Sequence, residues 1–168
     1  CRVAIRDAQG GKLGSASQFI EVPNLKKGRL TASSIVLESL TEKEWERLSD
    51  PNGGFVRGDP MSATALRRLK LNSVLRYGFE VYNAKLDGAK HPSITTKIRV
   101  FSDGKLVLDG KEQQLNPVGQ TDMQRLKSSG ALALGGKMLP GDYILQIIVT
   151  DSLAGAKQRI ATQFVQFE

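Results

Sequence analysis

Two side chains in this sequence carry the nucleophilic or metal-binding character that active sites exploit, and each stands alone: Cys1 is the only cysteine and His91 the only histidine. A nucleophilic triad needs an imidazole held by an acid beside a nucleophile. His91 lies in Ala89-Lys90-His91-Pro92-Ser93, between extended segments, and reads as a loop residue without such a setting. Nothing near Cys1 would lower its thiol pKa. A single cysteine forms no intrachain disulfide, and one Cys with one His cannot make a zinc or iron–sulfur site that needs several such ligands. Glu42, Glu44 and Glu46 fit the solvated face of a charged helix. Asp50, Asn52, Asp59 and Asp87 could meet a calcium ion in loops, but they lack the fixed spacing and closing Glu of an EF-hand. Gly10-Gly11-Lys12-Leu13-Gly14 has neither GxGxxG spacing nor a trailing Gly-Lys-Ser/Thr, so it reads as a hairpin turn rather than a phosphate cradle. The expectation is a chain with no catalytic residues, no cofactor and no metal.

The charge balance offers a different chemistry. The chain carries a net charge of +7, with a pI near 9.7. Its tightest basic clusters are Lys26-Lys27-Gly28-Arg29 and Arg67-Arg68-Leu69-Lys70. Single-stranded nucleic acid would need exposed aromatics among them. Tyr77 and Phe79 instead alternate onto the presumed core face, which disfavours nucleic acid. A basic face docking on anionic envelope components or on an acidic protein surface fits better, and scattered solubilising charge is the simplest reading.

These residues must be positioned by a chain of 168 residues, 40% hydrophobic and 24% charged, which is enough for one core without a metal or disulfide staple. Its apolar runs are short, Ile147-Ile148-Val149 among them, far below the roughly 20 residues of a spanning helix. The dominant period is two. Val3 and Ile5 alternate with Arg2, Ala4 and Arg6, as in a strand with one wet face. Gln18 to Val22 is extended and stopped by Pro23, Asn24 to Gly28 is a turn, and Leu30 to Leu37 is a second extended run. Leu75, Tyr77, Phe79 and Val81 share one face of the clearest amphipathic strand, with Arg76, Gly78, Glu80 and Tyr82 on the other. Ile94 to Phe101 and Lys105 to Asp109 flank Asp103-Gly104, a strong signal for a two-residue hairpin turn. Ala131 to Leu134, Tyr143 to Thr150 and Arg159 to Phe167 complete about nine strands. Thr41-Glu42-Lys43-Glu44 is a capping box opening the one helix, from which Trp45 and Leu48 would pack on the sheet. Pro51 to Pro60 is a loop rich in breakers. No internal repeat is visible.

Many short strands, turn residues between them and one helix in an insertion predict an all-β, antiparallel β-sandwich of immunoglobulin or fibronectin type. In Leu139-Pro140-Gly141-Asp142-Tyr143-Ile144-Leu145, Tyr143 stands where such domains place a tyrosine corner, and Leu145 where antibody domains have a disulfide Cys. Residues 1–168 are read as a single module, with a possible sub-boundary in the loop and helix of residues 40–63.

Four segments, in order, resemble the acidobacterial von Willebrand factor A-related proteins: Gly14 to Leu30, Tyr77-Gly78-Phe79-Glu80-Val81-Tyr82-Asn83-Ala84, Leu139 to Tyr143, and Ala161-Thr162-Gln163-Phe164-Val165-Gln166-Phe167. The similarity falls in the β-rich region that follows the A domain and covers most of the chain, residues 40–63 least. The resemblance implies an exported protein of the periplasm or cell surface with an adhesion or assembly role. It does not bring the A domain's metal site. That site needs Asp-x-Ser-x-Ser, which Asp151-Ser152-Leu153-Ala154-Gly155 lacks.

The sequence opens without Met, which reads as a processed or excised fragment, and a lipidated Cys1 is the less favoured reading of its first residue. The expected function is that of a non-catalytic module of an exported bacterial protein, contacting protein partners or supporting an adjacent A domain. The alternatives are an accessory subunit on the periplasmic face of a membrane-embedded complex, such as a photosynthetic or respiratory one, and a carbohydrate-binding module. Lys26, Lys27, Arg29 and Tyr82 are the candidate partner contacts, and Tyr143, Trp45 and Phe79 the candidate structural supports.

Overall fold

Alternation of apolar and polar residues builds strands, and eleven are present among the described residues, which are 2–17, 24–49, 67–135 and 138–168 of the computed structural model. In chain order they are β1 (Arg2–Arg6), β2 (Leu13–Ser17), β3 (Thr31–Ala32), β4 (Val36–Leu40), β5 (Ser73–Tyr82) and β6 (Ile94–Ser102). β7 (Lys105–Asp109), β8 (Gln113–Gln114), β9 (Arg125–Leu134), β10 (Tyr143–Asp151) and β11 (Ile160–Phe167) follow. One helix, α1 (Glu42–Ser49), lies between β4 and β5. The expected strand at Gln18–Val22, the breaker loop from Pro51 to Pro60, Cys1, Asp50, Asn52 and Asp59 fall outside the described residues.

Every strand pair among the described residues is antiparallel. In one sheet β5 is central, paired along its whole length with β9 on one edge and with β3 and β4 in succession on the other. In the other the order is β11-β10-β6-β7, with β8 joining β6. The fold is all-β, and the two sheets share one core. Leu75, Phe79, Val81 and Leu126 from the first meet Ile94, Val100, Leu145, Ile147, Val149, Val165 and Phe167 from the second. Leu145, Ile147 and Val149 are fully buried, and each contributes about 1.5–3 kcal/mol by leaving water.

Local chemistry explains several boundaries. Asp103 and Gly104 sit at φ 50° and 72°, so the turn between β6 and β7 has the positive φ at both central positions that its Asp-Gly sequence predicts. At α1 the Thr41 hydroxyl accepts from the Glu44 N–H at 3.3 Å, and the Thr41 N–H donates to Glu44 Oε2 at 2.7 Å. That is the reciprocal capping box, and it holds the Glu44 carboxyl below its ordinary pKa. The helix lies against β4 and β5, with Trp45 and Leu48 half-buried.

Three expectations change. The run Leu30–Leu37 is interrupted: β3 and β4 pair successive parts of β5, and Ser33 links them by donating its N–H to Glu80 O and accepting the Glu80 N–H at its hydroxyl. β9 begins at Arg125, six residues before the segment its alternation marks, because Lys127-Ser128-Ser129-Gly130 has little apolar content and is recruited by pairing with β5. The β1–β2 hairpin forms, but it has no dry face: every residue of β1 is exposed.

Candidate functional site

β5 positions the candidate contact residues. Its inward side chains enter the core, so Arg76, Gly78, Glu80 and Tyr82 stand on the outer face. There Glu80 pairs across to Lys127 and Tyr82 to Arg125 on β9. The Tyr82 hydroxyl donates to Glu80 Oε2. The Arg125 guanidinium grips the same carboxylate with two N–H donors, Nε to Oε2 at 3.0 Å and Nη2 to Oε1 at 3.2 Å, and stacks over the Tyr82 ring with its centre 5.8 Å from the ring centroid. The hydrogen bond from Tyr82, with that from Arg125, holds the Glu80 carboxyl below its ordinary pKa. The same bond to Glu80 raises the Tyr82 hydroxyl. The result is an aromatic and cationic platform held together by three hydrogen bonds to one carboxylate.

The basic turn is brought beside this platform. Asn24 caps a single 3-10 turn, Leu25–Lys27, by accepting the Lys26 N–H at 3.1 Å, and Gly28 ends it at φ 61°. The turn is then hooked to the residue after Tyr82. Asn83 Nδ2 donates to Leu25 O and Arg29 O, both at 3.0 Å. Lys26, Lys27 and Arg29 are exposed, so the structure gathers all four candidate contacts at one end of the β5–β9 face. Tyr82 itself is half-buried under Arg125, and Arg125 is a residue of this surface that sequence reasoning missed. Only the strand register places it opposite Tyr82.

The three supporting residues differ in role. Phe79 is buried in the shared core. Tyr143 is buried, stacks on Phe167 with ring centroids 5.5 Å apart, and donates its hydroxyl to Leu139 O at 2.6 Å. Trp45 is half-buried on α1. Asp151 is a fourth support that its loop-like sequence hides. It is fully buried, and its carboxylate accepts the Lys85 N–H at 2.8 Å and the Leu153 N–H at 2.9 Å, tying the end of β10 to the loop after β5.

Of the residues weighed for chemistry, His91, Asp87 and the α1 glutamates lie among the described residues. His91 is exposed, and its backbone N–H, with that of Ala89, donates to Asp87 Oδ1. Asp87 thus caps its own loop, and these bonds hold its carboxyl below the ordinary range. Among the described residues no three His, Cys, Asp or Glu side chains gather as a metal site requires, and no helix is long and apolar enough to cross a membrane.

A second surface has no forerunner in the sequence reading. On the outer face of the β11-β10-β6-β7 sheet, Ile144 pairs across to Phe101, which pairs to Leu106, and Phe164 lies on the neighbouring strand. Phe164, Ile144 and Leu106 are 72%, 42% and 47% exposed. Lys97 and Arg99, flanking this strip, share the Asp109 carboxylate at 2.8 and 2.9 Å, and their bonds hold the Asp109 carboxyl low.

No family model matches the chain, and no curated protein matches it.

Proposed function

We propose that this chain is a non-catalytic interaction module of an exported bacterial protein, an immunoglobulin-like sandwich that contacts protein partners or supports a neighbouring A domain. The strand order supports the finer fold reading. Counted in immunoglobulin fashion, β4-β5-β9 correspond to A-B-E and β11-β10-β6-β7 to G-F-C-C′, and Tyr143 begins the F-equivalent strand with its hydroxyl on Leu139 O. The resemblance to the von Willebrand factor A-related proteins supports the periplasmic or surface setting. The observation that carries the functional reading is the platform of Tyr82, Glu80 and Arg125 joined through Asn83 to Lys26, Lys27 and Arg29. A tyrosine held under an arginine is the composition of protein-contact hot spots, and the exposed lysines beside it give a charge that suits an acidic partner surface.

The accessory-subunit reading has its own support in the apolar strip of Phe101, Leu106, Ile144 and Phe164, since a subunit fixed to a larger assembly buries one such face.

The test is crosslinking in envelope extract from a photoreactive residue placed at Lys27. One stoichiometric protein adduct, lost when Lys26→Glu/Arg29→Glu is added to the photoreactive chain while the unfolding midpoint stays put, is the expected result. Adducts to glycan or nucleic acid alone overturn the reading. A protein adduct lost instead in Ile144→Ser/Phe164→Ser moves the interface to the other sheet and favours the accessory subunit.

A further inference from the structure

The β1–β2 hairpin exposes Val3, Ile5 and Leu13 at 53%, 73% and 72%. A two-stranded ribbon without a core is marginal in water. The same chain contains a hairpin of like construction whose surroundings are known. Arg2-Val3-Ala4-Ile5-Arg6-Asp7 runs parallel in type to Gln146-Ile147-Ile148-Val149-Thr150-Asp151. In both, the aspartate closes the strand. The Asp7 N–H donates to Lys12 O at 2.9 Å, and the Asp151 N–H to Arg159 O at 2.8 Å. The Gln9 N–H donates to Asp7 Oδ1 at 3.0 Å, and the Leu153 N–H to Asp151 Oδ1 at 2.9 Å. Gly11 and Gly155 each stand four residues after the aspartate. Across the hairpin Val3 pairs with Ala16 as Ile147 pairs with Gln163, and Ile5 with Gly14 as Val149 with Ala161. The strand, its closing aspartate and the aspartate-capped turn are used twice.

β10 shows what such a hairpin needs around it. Leu145, Ile147 and Val149 are fully buried against the β5–β9 sheet, and the edge of β10 away from β11 is paired with β6. Asp151 Oδ2 takes an N–H from the loop after β5. Val3 and Ile5 hold the positions of Ile147 and Val149, but they are exposed, and the Asp7 carboxylate accepts the Gln9 N–H of its own turn.

We infer that β1–β2 is the closing hairpin of a second sandwich of this design, whose remaining strands precede it in the polypeptide and whose β5–β9-type sheet covers Val3 and Ile5. The order follows from the described unit, in which β10 and β11 come after the β5–β9 sheet that covers them. The molecule is then a tandem array, with the sandwich of β3 to β11 as one unit and the hairpin as part of another.

Amide hydrogen exchange tests this on two polypeptides: the 168-residue chain, and the same chain extended toward its N-terminus through its natural preceding sequence by one unit's length. The amides of β1 and β2 exchange in the shorter chain about 100-fold or more faster than those of β10 and β11, and become comparably slow in the longer one. Ile5→Asp leaves the thermal unfolding of the shorter chain unchanged, but lowers or abolishes one of two transitions in the longer, leaving the other in place. Protection of β1–β2 in the monomeric 168-residue chain overturns the inference. So does protection that appears only with concentration-dependent dimerisation, which makes a second copy the occupant. A longer chain in which these amides stay fast, or in which Ile5→Asp has no effect, overturns it as well.

Discussion

The Tyr143 hydroxyl and the Glu80 carboxylate each make hydrogen bonds whose loss can be measured. The Tyr143 bond to Leu139 O is made at a buried ring, so Tyr143→Phe leaves a carbonyl without its partner while keeping the stacking on Phe167. A loss of about 1–2 kcal/mol is expected from the shift of the urea midpoint at unchanged slope. An unchanged midpoint would remove this bond from the account of stability. Glu80 makes a pH prediction. Its carboxyl is held low chiefly by the Tyr82 hydroxyl and by Arg125, so the folded state binds its proton less readily than the unfolded state, where a Glu titrates near about 4.3. The stabilisation is complete above that unfolded-state value and is lost as pH falls through the lower folded-state value. Wild type should therefore melt above Glu80→Gln at neutral pH, with the gap closing as pH drops from about 5 toward 3. A gap that ignores pH would assign the difference to packing instead.

At the scale of elements, the pairing of β5 with β9 is the join that matters, because it carries both the core face and the contact face. Tyr77 pairs with Gly130 across it, and a Cβ added at Gly130 would overlap the Tyr77 ring and hydroxyl. Burial of this tyrosine raises its hydroxyl pKa, consistent with a ring laid over the neighbouring strand. Gly130→Ala should cost about 1–3 kcal/mol by displacing that ring, and Tyr77→Leu/Gly130→Ala should recover much of the loss in a double-mutant cycle. Strict additivity of the two substitutions would show that the crowding lies elsewhere. The same join explains what the sequence reading of β9 missed. Arg125 to Gly130 has small and polar residues with no apolar period, so only a strand already formed beside it makes it a strand.

For the whole molecule, one core between two sheets has a cooperative consequence. Phe79 and Ile147 belong to different sheets yet share the same cluster. Phe79→Ala and Ile147→Ala should each lower stability by about 2–5 kcal/mol. In each variant, Trp45 fluorescence and far-ultraviolet circular dichroism should unfold together. A sheet that melts before the other would divide the body at residues 40–63, where the sequence offered a sub-boundary. The exposed hairpin stands apart from this core, and its likeness to β10–β11 is a property of the whole chain that no single segment displays.

Period-two alternation, the Asp103-Gly104 turn, the capping box at Thr41 and the placement of Tyr143 are local matters, decided by backbone sterics and nearest-neighbour hydrogen bonds, and the amino-acid order alone was sufficient for them. The basic cluster at Lys26 and the outward Tyr82 were legible for the same reason, as residue types on a turn and on a strand face. That they lie together depends on Asn83 reaching back to Leu25 and Arg29, and that Tyr82 sits under Arg125 depends on a register spanning more than forty residues. The burial of Asp151 and the bareness of Val3 and Ile5 are likewise tertiary outcomes. Whether an alternating strand gains a dry face depends on which sheet stands across from it, and that is a contact between residues far apart in the chain.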